Sequence, residues 1–328
     1  MKIGIVGATG EVGLTMLRLI EEYEIDPDEL ILFASKRSAN KRLQYKGDSI
    51  VVKELTEDEM KKEYDYLLFS AGAGVSKRFG AVASEYGNTV IDNSSAFRRD
   101  ETIPLVVPEI NSEKLEGYKG IIANPNCSTI QMVLALNGIR PYGIHEIVVS
   151  TYQSVSGAGH FALEEYRAEV KGKEHGEFQA PAFTHSIFDN VIPLIGTLEE
   201  TTGISSEDAK MIFETRKIFD DEKINVYPFT ARVAAEYSHG ESVFLRLESD
   251  VNKDDFCEAI ARTPGVKVTD DIITPIDTKG TDTTVVGRVR QFDKRTFMFW
   301  VVADNIRVGA ATNALRILIK HRELNERS

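Results

Sequence analysis

A cysteine at the start of a predicted helix is the first candidate for a catalytic residue. Cys127 follows Asn126 in a polar turn between a predicted strand at 120–123 and an apolar helix at 130–137. Free backbone N–H groups and the helix dipole at such a position stabilise a thiolate, the nucleophilic form of cysteine. Asn126 and a nearby backbone N–H would hold a developing oxyanion. Cys257 instead lies among the apolar positions of another predicted helix, which is typical of a structural cysteine.

A histidine and an arginine farther along the chain are the next candidates. His239 stands in a Ser-His-Gly sequence just before a predicted strand at 242–248. We expect a side chain at such a turn to be exposed enough to move protons, which imidazole does near neutral pH. The types and positions of His239 and Arg232 alone assign neither a role, because charged side chains usually lie on protein surfaces.

A glycine-rich loop after the first predicted strand is typical of a dinucleotide-binding site. The loop consists of Gly7, Ala8, Thr9, Gly10, Glu11, Val12 and Gly13. A strand at 2–6 precedes it, and a helix over 12–23 follows. Glycines there permit a tight turn and a close approach to a pyrophosphate, which the helix N-terminus then binds. The spacing is G-x-x-G-x-x-G and not the commoner G-x-G-x-x-G, so the prediction depends on the flanking strand and helix.

The end of the second predicted strand indicates which dinucleotide the chain prefers. An NAD site usually has an acidic residue there, which binds the ribose 2′-hydroxyl. The strand at 30–33 is followed instead by Ser35, Arg37 and Ser38, with no acid between them. An arginine flanked by hydroxyl groups suits a 2′-phosphate. The sequence therefore favours NADP over NAD.

The apolar pattern predicts an α/β fold with two domains that would position these residues. Strands are predicted at 2–6, 30–33, 50–52, 66–70, 89–92 and 120–123. Apolar strands alternating with helices are typical of a parallel sheet covered on both faces. Longer strands are predicted at 146–153, 242–248, 284–291 and 295–303. They indicate a mixed sheet in a second domain, as the length of 328 residues also does.

The composition argues against several classes of protein. With 51 acidic and 39 basic residues, the formal net charge is −12. This balance disfavours nucleic acid as a partner, because a phosphate backbone requires a basic face. We see no signal peptide and no apolar run near the ~20 residues that span a bilayer. Two cysteines are too few for a disulfide framework, and no Cys/His cluster suggests a metal. We therefore expect a cytoplasmic protein with no metal and no membrane partner.

Together these residues resemble the bacterial aspartate-β-semialdehyde dehydrogenases. The resemblance rests on segments that occur in the family's order, at 7–13, 94–98, 108–111, 125–129, 150–159, 190–193, 232–241, 304–305 and 309–311. Residues 172–181 fit the family's pattern weakly. The resemblance implies a Rossmann-type NADP-binding domain at 1–125, completed by a C-terminal helix at 305–328. It also implies an α+β catalytic domain at 126–304 that forms a homodimer.

The resemblance implies a reaction as well. NADPH would reduce β-aspartyl phosphate to aspartate semialdehyde with release of phosphate, a step toward lysine, threonine, methionine and diaminopimelate. Cys127 would be the thioester nucleophile, His239 the acid and base, and Gln153 a residue that orients the acyl group. The implied substrate contacts are Arg232 for the carboxylate, Arg98 and Lys210 for phosphate, and Glu207 as a pocket acid. The implied cofactor contacts include Ser156, Gly157 and Asn305.

Other functions remain open at this point. N-acetyl-γ-glutamyl-phosphate reductase also reacts through a cysteine thioester, but its substrate is one methylene longer and is acylated on its amine. Arg232 with Glu207 suits a free amino acid better. Glyceraldehyde-3-phosphate dehydrogenase is disfavoured because the second strand lacks an acid for NAD. A non-enzymatic NADP-binding sensor or scaffold would need no activated cysteine, so it would give Cys127, Arg232 and His239 no joint role.

Overall fold

Strands and helices follow one another along the chain largely as the apolar pattern predicts. The computed structural model describes residues 1–326. Its strands are β1 (Lys2–Val6), β2 (Glu29–Ala34), β3 (Arg42–Tyr45), β4 (Asp48–Val51), β5 (Lys53–Glu54), β6 (Tyr66–Phe69), β7 (Thr89–Asp92), β8 (Ile121–Ala123), β9 (Ile144–Gln153), β10 (Val191–Ile192), β11 (Asn225–Val233), β12 (His239–Leu247), β13 (Val266–Thr269), β14 (Thr284–Gln291) and β15 (Thr296–Ala303). Its helices are α1 (Glu11–Glu22), α2 (Glu57–Met60), α3 (Ala73–Val75), α4 (Ala81–Glu85), α5 (Pro108–Asn111), α6 (Cys127–Asn137), α7 (His160–Val170), α8 (Ser206–Phe219), α9 (Lys253–Ala261), α10 (Pro275–Thr278) and α11 (Asn313–Asn325).

The first of two compact units contains the parallel sheet. It consists of Met1–Asn126 and the chain from Ala310 onward. The strand order is β5-β2-β1-β6-β7-β8, and every neighbouring pair is parallel. Because β2 and β6 lie on opposite sides of β1, the strand order reverses there, which is where such sheets bind their ligands. The predicted Rossmann-type fold is confirmed.

Buried apolar side chains hold this unit together. Met16 and Ile20 of α1 join Ile5 of β1 in one buried cluster. Leu315 and Leu318 of α11 belong to the same cluster, so the C-terminal helix is part of this unit. Each such side chain stabilises the fold by about 1.5–3 kcal/mol when fully buried. The last two residues of the predicted C-terminal helix, 327 and 328, lie outside the described residues.

The second unit, Cys127–Gly309, contains the predicted mixed sheet. Its strand order is β10-β11-β9-β12-β15-β14-β13. β9 pairs parallel with β11 and antiparallel with β12, which in turn pairs antiparallel with β15. α6 is buried from Ser128 to Leu136, in keeping with the mainly apolar sequence of its second half. The prediction of an α+β domain with a mixed sheet is confirmed.

Two elements, α8 and β11, are not predicted from the apolar pattern. α8 has a recognisable start, since the Ser205 side chain accepts from the Asp208 N–H and the Asp208 side chain accepts from the Ser205 N–H. The sequence of β11 does not show a strand pattern, because it contains Pro228, which lacks an N–H. An exposed aromatic residue also stands on each side of this proline, Tyr227 before it and Phe229 after it. Proline is tolerated there because the neighbouring β10 pairs only with residues 232 and 233, which leaves the rest of β11 at an edge.

The strand predicted at 50–52 is wrong in its placement. β4 ends at residue 51 and pairs with β3 in a separate hairpin, while the short β5 forms the sheet edge beside β2. The alternating burial of β3 shows a strand that is covered on only one side, unlike the fully buried β6. Within residues 1–326, no helix has the length and apolar character needed to cross a membrane.

Candidate active site

Cys127 and His239 lie side by side in the second unit. Cys127 is the first residue of α6, as predicted, and His239 is the first residue of β12. Cys127 Sγ is 3.2 Å from His239 Nε2. The predicted exposure of His239 is wrong, because its side chain is 0% exposed. Ser238, with a left-handed φ of 67°, turns the chain directly into β12, which lies between β9 and β15.

The hydrogen bonds of His239 determine which ring nitrogen carries the proton. The backbone N–H of Ser154 donates to Nδ1 at 3.0 Å, and Ser154 Oγ is 3.1 Å from the same atom. Because a backbone N–H can only donate, Nδ1 is the unprotonated nitrogen and Nε2–H faces Cys127 Sγ. Burial, reinforced by the charge of Arg232, lowers the pKa of His239 to about 3. The ring is therefore neutral at pH 7 and presents a donor to the sulfur.

The predicted substrate residues of the second unit form a connected group. Gln153 ends β9 and pairs in register with Arg232 of β11. Gln153 Nε2 donates to Glu207 Oε1 at 3.2 Å, and Lys210 Nζ is 2.9 Å from Glu207 Oε2. The carboxylate of Glu207 thus fixes both an amide and a cation at the start of α8.

Arg232 is buried close to the reacting sulfur. Its side chain is 5% exposed, and Nη1 donates to the carbonyl oxygen of Ser154 at 2.7 Å. Burial lowers the pKa of Arg232, while the charges of Glu207 and Cys127 act in the opposite direction. A planar guanidinium held in this way has further donors in a fixed geometry, which suits a carboxylate ligand.

Gly157, Ser156 and Asn305 lie against the catalytic pair. A Cβ at Gly157 would be 2.8 Å from Arg232 Nη1 and 3.1 Å from His239 Cε1, so only glycine fits there. Asn305 Oδ1 accepts from the Ser238 N–H at 2.8 Å, and Asn305 Nδ2 donates to Ser156 Oγ at 3.0 Å. Asn305 therefore fixes the turn that aims His239. The cofactor role implied for these residues stays a prediction.

The remaining predicted residues belong to the first unit. Asn126 is buried and directly precedes Cys127 in the chain. Arg98 is also buried, and its Nη2 donates to the carbonyl oxygen of Asn93 at 2.7 Å. Asn93 directly follows β7, so Arg98 is held near the carboxyl end of the parallel sheet. Their proposed oxyanion and phosphate contacts stay predictions.

The glycine loop has the geometry of a phosphate cradle. Gly7 has a φ of +83°, and a Cβ on it would be 2.5 Å from the Ser70 carbonyl oxygen. A Cβ on Gly13 would be 2.3 Å from the Gly7 carbonyl oxygen, which would force α1 away from the loop. Gly10 is the N-cap of α1, so the free N–H groups of that helix begin at this loop. These residues fit a dinucleotide pyrophosphate.

The turn after β2 lies at the same edge of the sheet as the glycine loop. β1 and β2 are parallel, and the N–H groups of Gly7 and Ala8 both donate to the Phe33 carbonyl oxygen. Arg37 is exposed on this turn, which a hydrogen bond from the Ser38 N–H to the Ser35 carbonyl oxygen closes at 2.8 Å. The position of Arg37 agrees with the ribose end of a dinucleotide.

Glu241 is a buried carboxyl that is not among the residues predicted from the sequence. It lies two residues after His239 in β12 and is 0% exposed. Burial raises the pKa of Glu241 well above its usual value, and the neighbouring Gln131 side chain offsets this only in part. Burial therefore favours the protonated form of Glu241. The sequence does contain a signal for Glu241. It lies two residues after His239 in a strand, and residues two apart share one face of a sheet.

We expect Glu241→Gln to flatten the pH dependence of stability. Burial raises the pKa of Glu241 in the folded chain above its ordinary value of 4.5, so the stability that this group contributes is present below that value and is lost as the pH rises above it. One proton corresponds to a slope of about 1.4 kcal/mol per pH unit. Urea unfolding of both proteins between pH 6 and 8 measures how the free energy of unfolding depends on pH. The contribution of His239 to this dependence cancels in the comparison, because both proteins contain it. Parallel curves would show that Glu241 is ionised in the folded protein.

Family models match both units of the chain. Residues 2–118 match the model described as semialdehyde dehydrogenase, NAD binding domain. Residues 136–308 match the model described as semialdehyde dehydrogenase, dimerisation domain. The fold, the glycine loop and the cysteine–histidine pair agree with these matches, so the class of protein is a semialdehyde dehydrogenase.

Curated relatives and solved structures define the family more closely. The chain is 45% identical to the aspartate-semialdehyde dehydrogenase of Aquifex aeolicus, with 96% of each chain covered. It is 38% identical to that of Bacillus subtilis, covering 99% of this chain and 98% of the relative. A crystal structure of aspartate semialdehyde dehydrogenase II from Vibrio cholerae, complexed with ASA, has a TM-score of 0.92 at 39% identity over 97% of each chain. The chain belongs to the aspartate-semialdehyde dehydrogenase family.

Proposed function

We propose that this chain is an NADP-dependent aspartate-semialdehyde dehydrogenase that reduces β-aspartyl phosphate through a thioester on Cys127. The observation that carries the proposal is the 3.2 Å approach of Cys127 Sγ to Nε2 of the buried, neutral His239. A sensor or scaffold has no need for a sulfur held against an imidazole donor. The full-length similarity to named relatives supports the aspartate substrate over the N-acetylated one.

The first step is attack by the Cys127 thiolate on the acyl phosphate. A C–S bond forms, the C–O bond to phosphate breaks, and phosphate leaves with the bonding electrons. His239 Nε2–H stabilises the thiolate before attack. Asn126 and a backbone N–H near the start of α6 are proposed to hold the oxyanion that develops on the carbonyl oxygen.

Reduction then releases the aldehyde. When bound, NADPH supplies the hydride that reduces the thioester carbon. The C–S bond breaks as the carbonyl re-forms, and Cys127 regains its thiolate beside Nε2–H of His239. No net proton is left on the imidazole, which agrees with the low pKa of His239 at about 3. The neutral ring of His239 therefore acts as a hydrogen-bond donor, through Nε2–H, to the sulfur and to the oxyanion.

Substrate recognition is assigned to the group around Arg232. Its guanidinium is proposed to bind the substrate's α-carboxylate. Glu207 is proposed to face the free ammonium, while Gln153, which it holds, orients the acyl group. Lys210 and Arg98 are proposed to bind phosphate. The relative from Vibrio cholerae that is complexed with ASA supports this assignment.

The cofactor is proposed to be NADP, bound by the first unit. Gly7, Gly10 and Gly13, with Thr9, Glu11 and Val12, would receive the pyrophosphate. Ser35, Arg37 and Ser38 would receive the 2′-phosphate, and the cofactor role that the resemblance implies for Ser156, Gly157 and Asn305 stays a prediction. The match of residues 2–118 to an NAD binding domain supports this assignment.

We expect Arg37→Ala to raise the Michaelis constant for NADP by roughly 10- to 150-fold, with the constant for NAD little changed. The lost contact is a charge-assisted hydrogen bond to the 2′-phosphate alone, worth about 1.5–3 kcal/mol. Initial rates with each cofactor varied at saturating aspartate semialdehyde measure this. Lys36→Ala is the matched control, because Lys36 is an exposed cation on the same turn. Equal losses with NADP and NAD would show that Arg37 does not bind that phosphate.

The proposal also covers the assembly, the domain bounds and the cellular location of the enzyme. We propose a homodimer formed through the second domain, because residues 136–308 match a dimerisation domain. Domains are proposed at 1–125 with 305–328 for NADP, and at 126–304 for catalysis. The cytoplasm is the proposed location, since acyl phosphate and NADPH are intracellular metabolites.

A substrate panel tests the proposed function. Initial rates are measured with NADP and phosphate, using aspartate semialdehyde and N-acetylglutamate semialdehyde in parallel. We expect NADPH formation that depends on phosphate and strongly favours aspartate semialdehyde. Preference for the acetylated substrate would establish the reductase instead. No turnover of either substrate would support the non-enzymatic alternative.

A further inference from the structure

Two buried glutamates and a histidine form a second polar cluster in the second unit. Glu165 and Glu169 lie one turn apart on α7, and His175 lies in the short 3-10 helix that follows. His175 Nδ1 is 3.1 Å from Glu169 Oε1 and 3.8 Å from Glu165 Oε1. One ligand atom from each residue lies within 4.8 Å of the others. The sequence contains no Cys/His cluster and therefore predicts no metal, whereas this group is mainly carboxylate.

The charge of this cluster is poorly balanced. Glu165 and Glu169 are 5% and 4% exposed, so two like charges are buried side by side. Within residues 1–326, His175 is the only cationic side chain within 4.0 Å of either carboxylate. One imidazole cannot balance the charge of two carboxylates. Buried charges are normally paired or bound to metal.

Backbone hydrogen bonds hold each carboxylate by one oxygen and leave the other directed at His175. Glu165 Oε2 accepts from the Ala182 N–H at 2.6 Å. Glu169 Oε2 accepts from the N–H groups of Ile187 and Phe188 at 3.0 and 2.9 Å. Glu165 Oε1 has no hydrogen-bond partner among the described residues, although it is buried. Carboxylate ligands of metals are oriented by such outer hydrogen bonds.

We propose that Glu165, Glu169 and His175 bind a divalent transition-metal ion through the two Oε1 atoms and Nδ1. One imidazole and two carboxylates form a donor set that suits Zn²⁺ and similar ions. With bonds of about 2.1 Å, neighbouring ligand atoms lie roughly 3.0–3.4 Å apart. The observed separation of 3.1 Å fits directly, while the separation of 3.8 Å and the one between the two carboxylate oxygens, which is at most 4.8 Å, would shorten when the ion binds.

The ion would order one wall of a cavity that contains Arg232. The segment held by Glu165 and Glu169 continues into residues 192–196, and together with Ala158 and Arg232 it lines a cavity of about 160 Å³. A metal would fix α7 to this segment, because each carboxylate already binds its backbone. An effect on substrate affinity rests on the proposed function, whereas metal binding does not.

Calorimetric titration with zinc chloride tests the site. The protein is stripped with a chelator and carries Cys127→Ala, which removes the catalytic thiol as a zinc ligand. We expect one ion per chain. In the same background, His175→Ala and Glu165→Gln should each weaken binding by at least about 100-fold. His145→Ala is the matched control, because His145 is an exposed histidine of β9.

The outcomes separate this site from the dehydrogenase activity. Zinc should raise the melting temperature of the Cys127→Ala protein and not that of its His175→Ala variant. Absence of binding at micromolar zinc would overturn the proposal. So would a zinc affinity in the His175→Ala and Glu165→Gln variants equal to that of the Cys127→Ala parent. Neither result depends on turnover. The proposed function can therefore be wrong while the metal site is right, and the metal site can be wrong while the proposed function is right.

Discussion

Replacing Cys127 with alanine is expected to lower kcat by about 10⁴-fold or more, as removal of a catalytic nucleophile does. The reaction passes through a C–S bond, and no other thiol lies near His239 within residues 1–326, because Cys257 is in α9. NADPH affinity and the urea midpoint should stay close to those of the wild type. Initial rates, a fluorescence titration with NADPH and urea unfolding provide the three measurements.

Cys257→Ala is the matched control for Cys127→Ala. Cys257 is partly buried, and burial raises the pKa of its thiol, so it stays protonated and unreactive at neutral pH. Its loss should leave kcat nearly unchanged. Appreciable turnover by the Cys127→Ala enzyme would show that the covalent route is wrong.

The second large effect is expected at Arg232. Arg232→Ala should lower kcat/KM for aspartate semialdehyde by roughly 30- to 5000-fold, which corresponds to about 2–5 kcal/mol for a desolvated, bidentate contact. Arg232→Lys keeps a charge but lacks the planar fork and the geometry that reaches the Ser154 carbonyl oxygen. It should therefore also be impaired, and its folding can be checked separately from that of the alanine variant.

Arg98→Ala provides the contrast to Arg232. If Arg98 binds phosphate, its loss should raise the Michaelis constant for phosphate in the oxidative direction and leave that for the semialdehyde almost unchanged. Initial rates with each substrate varied in turn separate the two defects. Equal defects in both substrates for both variants would contradict the assignment of the two arginines.

The local apolar pattern is sufficient to predict the strands that contain a continuous buried run. The predicted bounds of β1, β7 and β14 match those of the structure, because each strand contains a buried run of mostly apolar or β-branched residues, and only β14 ends in polar residues that are not buried. Cys127 at the start of α6 was predictable for a similar reason, since a polar turn between two apolar segments marks a strand end and a helix start.

Features that depend on long-range contacts were not predictable in this way. The neighbours of His239 in sequence suggest an exposed turn, but its burial arises from pairing of β12 with β9 and β15. The spacing of Glu165 and Glu169 places them on one helical face, yet nothing local shows that residues 182–188 bury them. Burial of a polar residue depends on which distant segment covers it.

Mass spectrometry of the acyl-enzyme tests the thioester mechanism most directly. Enzyme, aspartate semialdehyde and NADP are mixed without phosphate and quenched in acid, so that the thioester forms but is not released. The mechanism predicts a burst of one NADPH per active site and one aspartyl group on the peptide that contains Cys127, removable by phosphate and absent in Cys127→Ala. A burst of NADPH with an unmodified Cys127, or an acyl group on another residue, would contradict the mechanism.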